Sequence, residues 1–220
     1  MSISSKIKDI KATLPESVQL LVVSKFQPVS TILEAYRTGQ RIFGESKAQE
    51  LIEKQEILPK DIEWHFIGHL QTNKVKYIVP FISLIHSVDS FKLLEEIEKQ
   101  GEKHNRIINC LLEIHVAQED TKYGFSFEDV RDLFSKNIFA QLPHIHITGI
   151  MGMASLTNDV EQIQQEFRSL SMFFHEIKKQ YAPWFSVLSM GMTDDYKIAI
   201  KEGSTIIRIG SHIFGERVYN

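Results

Sequence analysis

Residues 20–25 read Leu-Leu-Val-Val-Ser-Lys, four apolar residues that run directly into a serine and a lysine. A short apolar run of this kind predicts a strand that is buried on both faces, as in a parallel sheet. Pro28 follows closely and indicates a turn. Lys25 therefore lies where a buried strand ends, and loss of solvation there favours a neutral amine, which is a nucleophile toward aldehydes. The alternative interpretation is an ordinary solvent-facing lysine.

Strand and helix patterns alternate along the whole chain after a first helix at residues 4–14. The predicted strands lie at residues 20–25, 41–44, 64–68, 81–86, 107–116, 145–149, 185–189 and 205–209. Between them, helices are predicted at residues 29–37, 48–57, 72–78, 91–100, 127–136, 160–181 and 196–201. The helix after Ser90 is expected to end at Gly101. This alternation predicts a single (β/α)8 TIM barrel of class α/β, with an extra N-terminal helix, over residues 1–220. A doubly wound open sheet is the alternative.

Composition narrows the range of partners. The chain has 28 acidic and 25 basic residues, a net charge of -3, and no long basic run, which argues against nucleic acid. No signal-peptide pattern and no apolar stretch of membrane-spanning length is present, so we expect a soluble, cytoplasmic protein without a membrane partner. The single cysteine, Cys110, lies in an apolar run and is predicted to be a buried structural thiol.

The ends of the predicted strands carry the residues of interest, because reactive side chains of such barrels come from the carboxyl ends of the strands. These ends carry Lys25, Gly44, Gly68, His86, Ser189 and Arg208. After the seventh strand, residues 190–194 read Met-Gly-Met-Thr-Asp, and Gly210 and Ser211 follow the eighth strand. Glycines let backbone amides approach an anion closely, and phosphate commonly binds after these two strands. The two loops therefore predict a phosphate site.

A lysine able to form an imine, a phosphate site and a cation beside an aromatic ring together suggest pyridoxal phosphate. Arg208 lies in an apolar run and needs a partner, because an unpaired buried charge is unfavourable. One partner is the pyridine nitrogen of this cofactor, which a permanently protonated arginine would keep unprotonated. The other interpretation is an ion pair between Arg208 and an acidic residue inside the barrel.

Histidine pairs do not indicate a metal site in this chain. His65 and His69 are four residues apart but straddle a strand end, and His144 and His146 lie where they share a strand face. Neither pair is completed by a cluster of carboxylates or cysteines, which protein metal sites use as ligands. We therefore expect no bound metal.

Several sequence blocks occur in the order in which they occur in one known family. They are Val23-Ser24-Lys25, Phe43-Gly44-Glu45, Trp64-His65-Phe66-Ile67-Gly68, Leu70-Gln71 with Asn73-Lys74, His86-Ser87-Val88-Asp89, Lys122 with Gly124, Ser189-Met190-Gly191-Met192, and Arg208-Ile209-Gly210 with Ile213-Phe214-Gly215. On these blocks the chain resembles the pyridoxal phosphate homeostasis proteins, whose fold is related to the N-terminal domain of alanine racemase. The resemblance covers nearly the whole chain.

The resemblance implies that pyridoxal 5'-phosphate is bound covalently as an imine on Lys25, with Arg208 beside its pyridine nitrogen. The phosphate contacts implied in the same way come from Ser189, Gly210 and Ser211, with Gly191, Met192 and Thr193 close by. Ser46 stands where the family commonly has asparagine, which alters one polar contact near the cofactor. Family members are described as lacking a robust catalytic activity and as linked to the balance of vitamin B6 forms.

Three functions fit these residues: a non-catalytic cofactor carrier, an amino-acid racemase of low activity, and a scaffold that only binds partners. A two-base racemase needs a second acid or base opposite the lysine, which the related racemase fold takes from an extra domain of the partner subunit. This sequence ends soon after the eighth strand, at Asn220. We therefore predict a monomeric carrier with no catalytic residues, whose recipients are apo-enzymes that depend on pyridoxal phosphate. A pure scaffold would leave Lys25 and Arg208 without a role.

Overall fold

The computed structural model describes residues 1–117 and 123–215. The strands within these ranges are β1 Gln19–Val23, β2 Ile42–Glu45, β3 Glu63–Phe66, β4 Leu84–Val88, β5 Ile108–Ile114, β6 Ile145–Gly152, β7 Val187–Ser189 and β8 Ile206–Ile209. They form one closed barrel in sequence order, and β1 pairs in parallel with β8 to complete it. The predicted barrel is therefore confirmed, and a doubly wound open sheet is excluded.

Helices cover the outside of the barrel and follow each strand in turn, after one helix that precedes β1. They are α1 Ile3–Thr13, α2 Val29–Arg37, α3 Ala48–Ile57, α4 Thr72–Ile78, α5 Phe91–His104, α6 Phe127–Ser135, α7 Val160–Gln180, α8 Tyr196–Lys201 and α9 Ser211–Phe214, with a 3-10 turn at Ile138–Gln141. The extra N-terminal helix is α1, as predicted. The 3-10 turn and α9 were not predicted, because segments of four residues show no hydrophobic periodicity.

Alternate side chains of the strands serve two apolar cores. Outward-facing residues such as Phe43, Trp64 and Phe66 pack against the helices and form the main core. Inward-facing residues form a smaller apolar cluster in the barrel interior, which consists of Leu21, Leu84, Leu111, Met151 and Ile206. Cys110 lies fully buried on β5, where burial raises the pKa of its thiol. The prediction of a buried structural thiol is therefore confirmed.

The helix after β4 is longer than predicted, because Gly101 lies inside it. α5 continues to His104, and Asn105 ends it in the left-handed conformation with φ 49°. A Cβ atom on Gly101 would lie 2.8 Å from the Cβ of His144 and 3.0 Å from the carbonyl oxygen of Arg106. The glycine therefore allows close packing of α5 against the chain before β6, and the prediction that it ends the helix is wrong.

Among the described residues, no helix is both long enough and apolar enough to cross a membrane. Within residues 1–117 and 123–215, no group of three or more His, Cys, Asp or Glu side chains is arranged to hold a metal ion. Lys122, which belongs to one of the family blocks, lies outside the described residues.

Candidate functional site

Lys25 lies at the carboxyl edge of the barrel, in a turn that directly follows β1. The strand ends at Val23, two residues earlier than predicted, because the Gln27 amide donates to the Ser24 carbonyl oxygen at 3.1 Å and closes a turn over residues 24–27. Lys25 is the second residue of this turn and is half-buried. Its position is therefore set by the turn and not by the sheet itself.

Arg208 lies on β8 with its guanidinium group inside the barrel, where its hydrogen-bond partners are neutral oxygen atoms. Nη1 donates to the Ser189 carbonyl oxygen at 2.9 Å and to Ser189 Oγ at 2.7 Å, and Nη2 donates to the Gly152 carbonyl oxygen at 3.1 Å. Among the described residues, Asp195 and Glu113 act on Arg208 through charge and without a hydrogen bond, so the alternative of an ion pair is not formed. Burial lowers the pKa of Arg208 to about 10, which leaves it protonated at neutral pH.

Two buried histidines extend this hydrogen-bonded chain across the barrel interior. His86 Nδ1 lies 3.0 Å from Ser189 Oγ, and His86 Nε2 lies 3.0 Å from His65 Nδ1. Because Arg208 can only donate, Ser189 Oγ accepts from it and has its own proton to donate to His86. Burial lowers the pKa of both histidines, to about 3 for His65, so both rings are neutral at pH 7. In the arrangement where Ser189 donates to His86 Nδ1, His86 donates from Nε2 to His65 Nδ1.

Sequence reasoning missed the role of these histidines. Both histidines belong to blocks that the family shares, but the sequence gives His65 only half of a metal-ligand spacing and His86 a place at a strand end. The signal that reveals them is the two-residue period of β3, on which Trp64 and Phe66 pack outward into the main core. The residue between them must face the barrel interior, and a polar residue there needs an interior partner.

The loops after β7 and β8 bring two hydroxyl groups together. Ser211 Oγ, at the start of α9, donates to Thr193 Oγ1, in the loop before α8, at 3.1 Å. Ser211 is exposed and Thr193 is half-buried, so both hydroxyls are accessible from the mouth of the barrel. These two predicted phosphate-binding residues therefore meet as expected from their positions after neighbouring strands.

Two glycines determine the path of these loops. Gly191 adopts φ 95°, and a Cβ atom there would lie 2.5 Å from Ala199 Cβ, so the loop after β7 folds tightly onto α8. A Cβ atom on Gly210 would lie 3.0 Å from the Val23 carbonyl oxygen. The loop that carries Ser211 therefore runs directly beside the end of β1, two residues before Lys25.

The backbone of Met192 is already committed within its own loop. Its amide donates to Asp195 Oδ1 at 2.5 Å, and its carbonyl oxygen accepts from the Tyr196 amide at 2.8 Å. Burial raises the pKa of the Asp195 carboxyl group. The Met192 side chain is 39% exposed. Met192 therefore contributes an apolar surface at the mouth, whereas its amide supports the loop.

The position of Ser189 does not fit the direct phosphate contact that was expected from the sequence. Ser189 is fully buried, and its Oγ is held between Arg208 and His86. A direct contact with a phosphate would need the Ser189 proton that the hydrogen bond to His86 uses. Ser189 is the last residue of β7 and faces the interior in phase with Val187, which explains why its side chain supports Arg208 and not the loop.

The donor set at this edge of the barrel fits pyridoxal phosphate. Lys25 supplies a primary amine, Arg208 a permanent cation that can only donate, and Thr193 and Ser211 a pair of hydroxyls. The close approach of Gly210 to Val23 brings the start of α9, with Ser211, next to the end of β1, which leads into the Lys25 turn. An aldehyde, an aromatic nitrogen and a phosphate are the groups that these three kinds of donor bind.

Known proteins resemble this chain over nearly its full length. Residues 2–218 match the alanine racemase N-terminal domain family. The pyridoxal phosphate homeostasis protein of Aquifex aeolicus is 41% identical over 202 residues, which cover 91% of this chain and 88% of that protein. The pyridoxal phosphate homeostasis protein of Pasteurella multocida is 39% identical over 215 residues, which cover 96% of this chain and 91% of that protein.

Solved structures extend the similarity to three dimensions. PipY of Synechococcus elongatus without pyridoxal phosphate superposes with a TM-score of 0.90 at 37% identity, and the match covers 97% of this chain and 100% of that chain. The structure of PipY with pyridoxal phosphate bound gives a TM-score of 0.87 at 36% identity with the same coverage. The barrel described above therefore agrees with a neighbour in both fold and sequence.

Proposed function

The chain belongs to the alanine racemase N-terminal domain family and, within it, to the pyridoxal phosphate homeostasis proteins, and from this premise we propose that it binds pyridoxal 5'-phosphate and serves the balance of this cofactor in the cell. The proposal takes residues 1–220 as a single cofactor-binding domain. The proposal includes a cytoplasmic location, a monomeric state and delivery of the cofactor to apo-enzymes that depend on it.

One observation carries the proposal: the turn of Lys25 and the hydroxyl pair of Thr193 and Ser211 lie beside each other at the barrel mouth. Gly210 joins them, because its backbone runs against Val23 at the end of β1. A ligand with an aldehyde at one side and a phosphate at another can reach both sets of donors from there. No other ligand class suggested by the sequence uses this combination of amine, cation and hydroxyls.

Each residue has a defined task in this proposal. Bound pyridoxal phosphate supplies an aldehyde for amines and a ring that withdraws electrons. Lys25 attaches the cofactor as an imine, and Arg208 donates a hydrogen bond to the pyridine nitrogen. Thr193 and Ser211 donate to the phosphate, and Gly191 and Gly210 allow the backbone to approach it. Met192 flanks the phosphate, and Ser189 orients Arg208 through two hydrogen bonds inside the barrel.

The same residues argue against robust catalysis. Arg208 is held by Ser189 and Gly152 and stays protonated at neutral pH. A protonated guanidinium can only donate a hydrogen bond, so the pyridine nitrogen beside it stays unprotonated. The ring then withdraws electrons weakly, which disfavours a carbanion on a bound amino acid. His65 and His86 are buried and hydrogen-bonded inside the barrel, so neither is available as a second acid or base. Storage and delivery need only the attachment and the phosphate cradle.

Two measurements on the purified protein loaded with cofactor test this function. A panel of L-amino acids is offered, and racemisation, transamination and decarboxylation are followed. In parallel, delivery of the cofactor to an apo-enzyme is compared with delivery from free cofactor at matched concentration. We expect no appreciable turnover and effective delivery. Turnover on the order of 1 per second or faster, lost in Lys25→Ala, would identify a racemase or related enzyme and contradict the proposal.

A further inference from the structure

The turn that carries Lys25 has an unusual backbone conformation. Phe26, the third residue of the turn, adopts φ 64°, in the left-handed region that residues with a side chain rarely enter. A positive φ at the third residue and not at the second is typical of a type II β-turn, in which glycine or asparagine usually occupies the third position. A phenylalanine keeps such a conformation only where the surrounding structure holds it. Contacts from outside the turn are therefore needed to hold Phe26 in this conformation.

Two side chains of α3 hold the peptide groups on either side of Lys25. Before it, the Ser24 carbonyl oxygen accepts a hydrogen bond from Lys54 Nζ at 2.8 Å. After it, the Phe26 amide donates to Glu50 Oε1 at 2.6 Å. Both flanking peptides are thus fixed by one helix, and neither contact uses the Lys25 side chain.

Lys54 joins these contacts into one network, here called the Lys54 network, formed by the buried residues Ser24, Glu45 and Lys54 and the half-buried Glu50. Besides Ser24, Lys54 Nζ donates to Glu45 Oε1 at 2.8 Å and to Glu50 Oε1 at 2.5 Å, so all three of its donors are used. Glu45 Oε1 also accepts from Ser24 Oγ at 2.5 Å. Lys54 is 5% exposed and Glu45 is fully buried, which removes them from water and fixes their geometry.

The fold explains why this network meets the Lys25 turn. Glu45 is the last residue of β2 and faces outward, in phase with Phe43, toward α3. Glu50 and Lys54 lie one turn apart on α3, so they reach the same point between that helix and the ends of β1 and β2. Ser24 pairs with this edge of β2 through its amide, which donates to the Gly44 carbonyl oxygen at 3.0 Å.

The composition of the network indicates a purpose beyond stability. Burying the Lys54 ammonium and the Glu45 carboxylate is unfavourable unless both groups are fully paired, and apolar residues would fill the same space at no such cost. Glu45 Oε2 nevertheless has no hydrogen-bond partner among the described residues. Burial accordingly raises the pKa of Glu45 to about 7. In some proteins, buried polar groups of this kind specify one conformation of the chain, and the contacts to Ser24 and Phe26 give this network a conformation to specify.

We propose that Lys54 is a positioning residue that, with Glu50 and Glu45, fixes the turn so that Lys25 is presented to the aldehyde of pyridoxal phosphate. This inference rests on the proposed function, in which Lys25 is the attachment residue. In that step the Lys25 nitrogen attacks the aldehyde carbon and forms the C=N bond. The aldehyde oxygen leaves as water with the two protons of the neutral amine. A turn held on both sides keeps the nitrogen within reach of the carbon, whereas a loose turn does not.

The test compares Glu50→Ala with Glu98→Ala, a matched control. Both glutamates accept a backbone amide and a side-chain nitrogen, and their side chains are 21% and 17% exposed, but Glu98 binds His144 on the loop that precedes β6. Three quantities are measured: amide hydrogen exchange at Phe26 and Gln27 without cofactor, the rate of imine formation with pyridoxal phosphate, and the pH profile of the imine absorption. Lys54→Met is the second variant, and Glu50→Gln and Lys54→Arg are the conservative ones.

We expect Glu50→Ala and Lys54→Met to accelerate hydrogen exchange at the Phe26 and Gln27 amides. We also expect both variants to slow imine formation by at least about 10-fold, because displacement of a reacting group by about 1 Å can lower a rate by about 100-fold. Glu98→Ala is expected to lower stability without either change, and the conservative variants are expected to restore the wild-type rate. If Lys54→Met does not fold, Glu50→Ala decides alone, because it leaves Lys54 paired with Glu45.

Wild-type rates and pH profiles in a folded Glu50→Ala or Lys54→Met protein would overturn the positioning role and leave the network merely structural. The failure of the proposed function would look different, because the wild-type protein itself would then form no imine on Lys25. In that case hydrogen exchange without cofactor still decides whether the Lys54 network holds the turn. Unchanged exchange at Phe26 in Glu50→Ala would contradict it.

Discussion

Arg208 and Ser189 are joined by two hydrogen bonds inside the barrel, from Nη1 to the serine carbonyl oxygen at 2.9 Å and to its Oγ at 2.7 Å. The bonds connect β8 to β7 below the loops that carry Thr193 and Ser211. Arg208 is therefore oriented by the strand that precedes the phosphate loop. The orientation of the cation and the binding of the phosphate depend on different residues, so they are separable by mutation.

Ser189→Ala should alter the environment of the cofactor ring and leave phosphate recognition intact. The variant removes one acceptor of Arg208 and the contact to His86, so we expect a shifted imine absorption band or a shifted pH profile of that band. Ser211→Ala should instead weaken binding without moving the band. Absorption spectra and binding titrations of both variants check this. Weaker binding of the phosphorylated cofactor by Ser189→Ala, with an unchanged spectrum, would indicate that Ser189 contacts the phosphate directly.

Removal of the Thr193 hydroxyl, one of the pair, should selectively weaken binding of the phosphorylated cofactor. A hydrogen bond to a charged group contributes about 1.5–3 kcal/mol, so Thr193→Ala should raise the Kd for pyridoxal phosphate about 10- to 100-fold. Binding of pyridoxal, which lacks the phosphate, should change little. Thr193→Ser keeps the hydroxyl and serves as the control. Equal affinity of the wild-type protein for pyridoxal and its phosphate would argue against a phosphate site.

The buried histidines should make the fold sensitive to acid. Burial lowers the pKa of His65 to about 3, whereas an unfolded histidine titrates near 6.5, so between these values the unfolded chain binds a proton that the folded chain excludes. The free energy of unfolding is therefore reduced as pH falls below about 6.5. His65→Asn cannot titrate and keeps a polar atom near the Nδ1 position for the contact with His86.

Denaturant unfolding of both proteins between pH 5 and pH 7 measures this effect. Relative to wild type, His65→Asn should gain on the order of 2 kcal/mol as the pH is lowered from 7 to 5. Parallel pH profiles of the two proteins would show that His65 is not held neutral by burial.

The barrel was predictable because its elements repeat, and local pattern decides each of them. The helices at Val29–Arg37, Ala48–Ile57, Thr72–Ile78 and Tyr196–Lys201 have the predicted bounds, since apolar stripes and flanking glycine or proline define them. The predicted end of α5 at Gly101 is wrong because this glycine is needed for close packing against His144, which is distant in sequence. Contacts of this kind are absent from any local pattern.

The positions of Lys25 and Arg208 at the carboxyl edge followed from the strand ends, but their supports did not. Whether Ser189 faces the interior or the loop depends on strand phase at a boundary, where prediction is uncertain by a residue or two. Lys54 has no predicted role, although it follows Leu51 by three residues and so shares the buried face of α3. Its partners lie on two other elements and emerge only when the barrel closes.

Attachment of the cofactor to one lysine is the central claim, and chemical mapping tests it most directly. The purified protein is incubated with pyridoxal phosphate, reduced with borohydride, digested and analysed by mass spectrometry, with Lys25→Ala as the control. The account predicts one dominant pyridoxyl adduct on Lys25, and loss of both the adduct and the imine absorption in Lys25→Ala. A dominant adduct on Lys47, Lys74 or Lys122, or an unchanged imine band in Lys25→Ala, would contradict it.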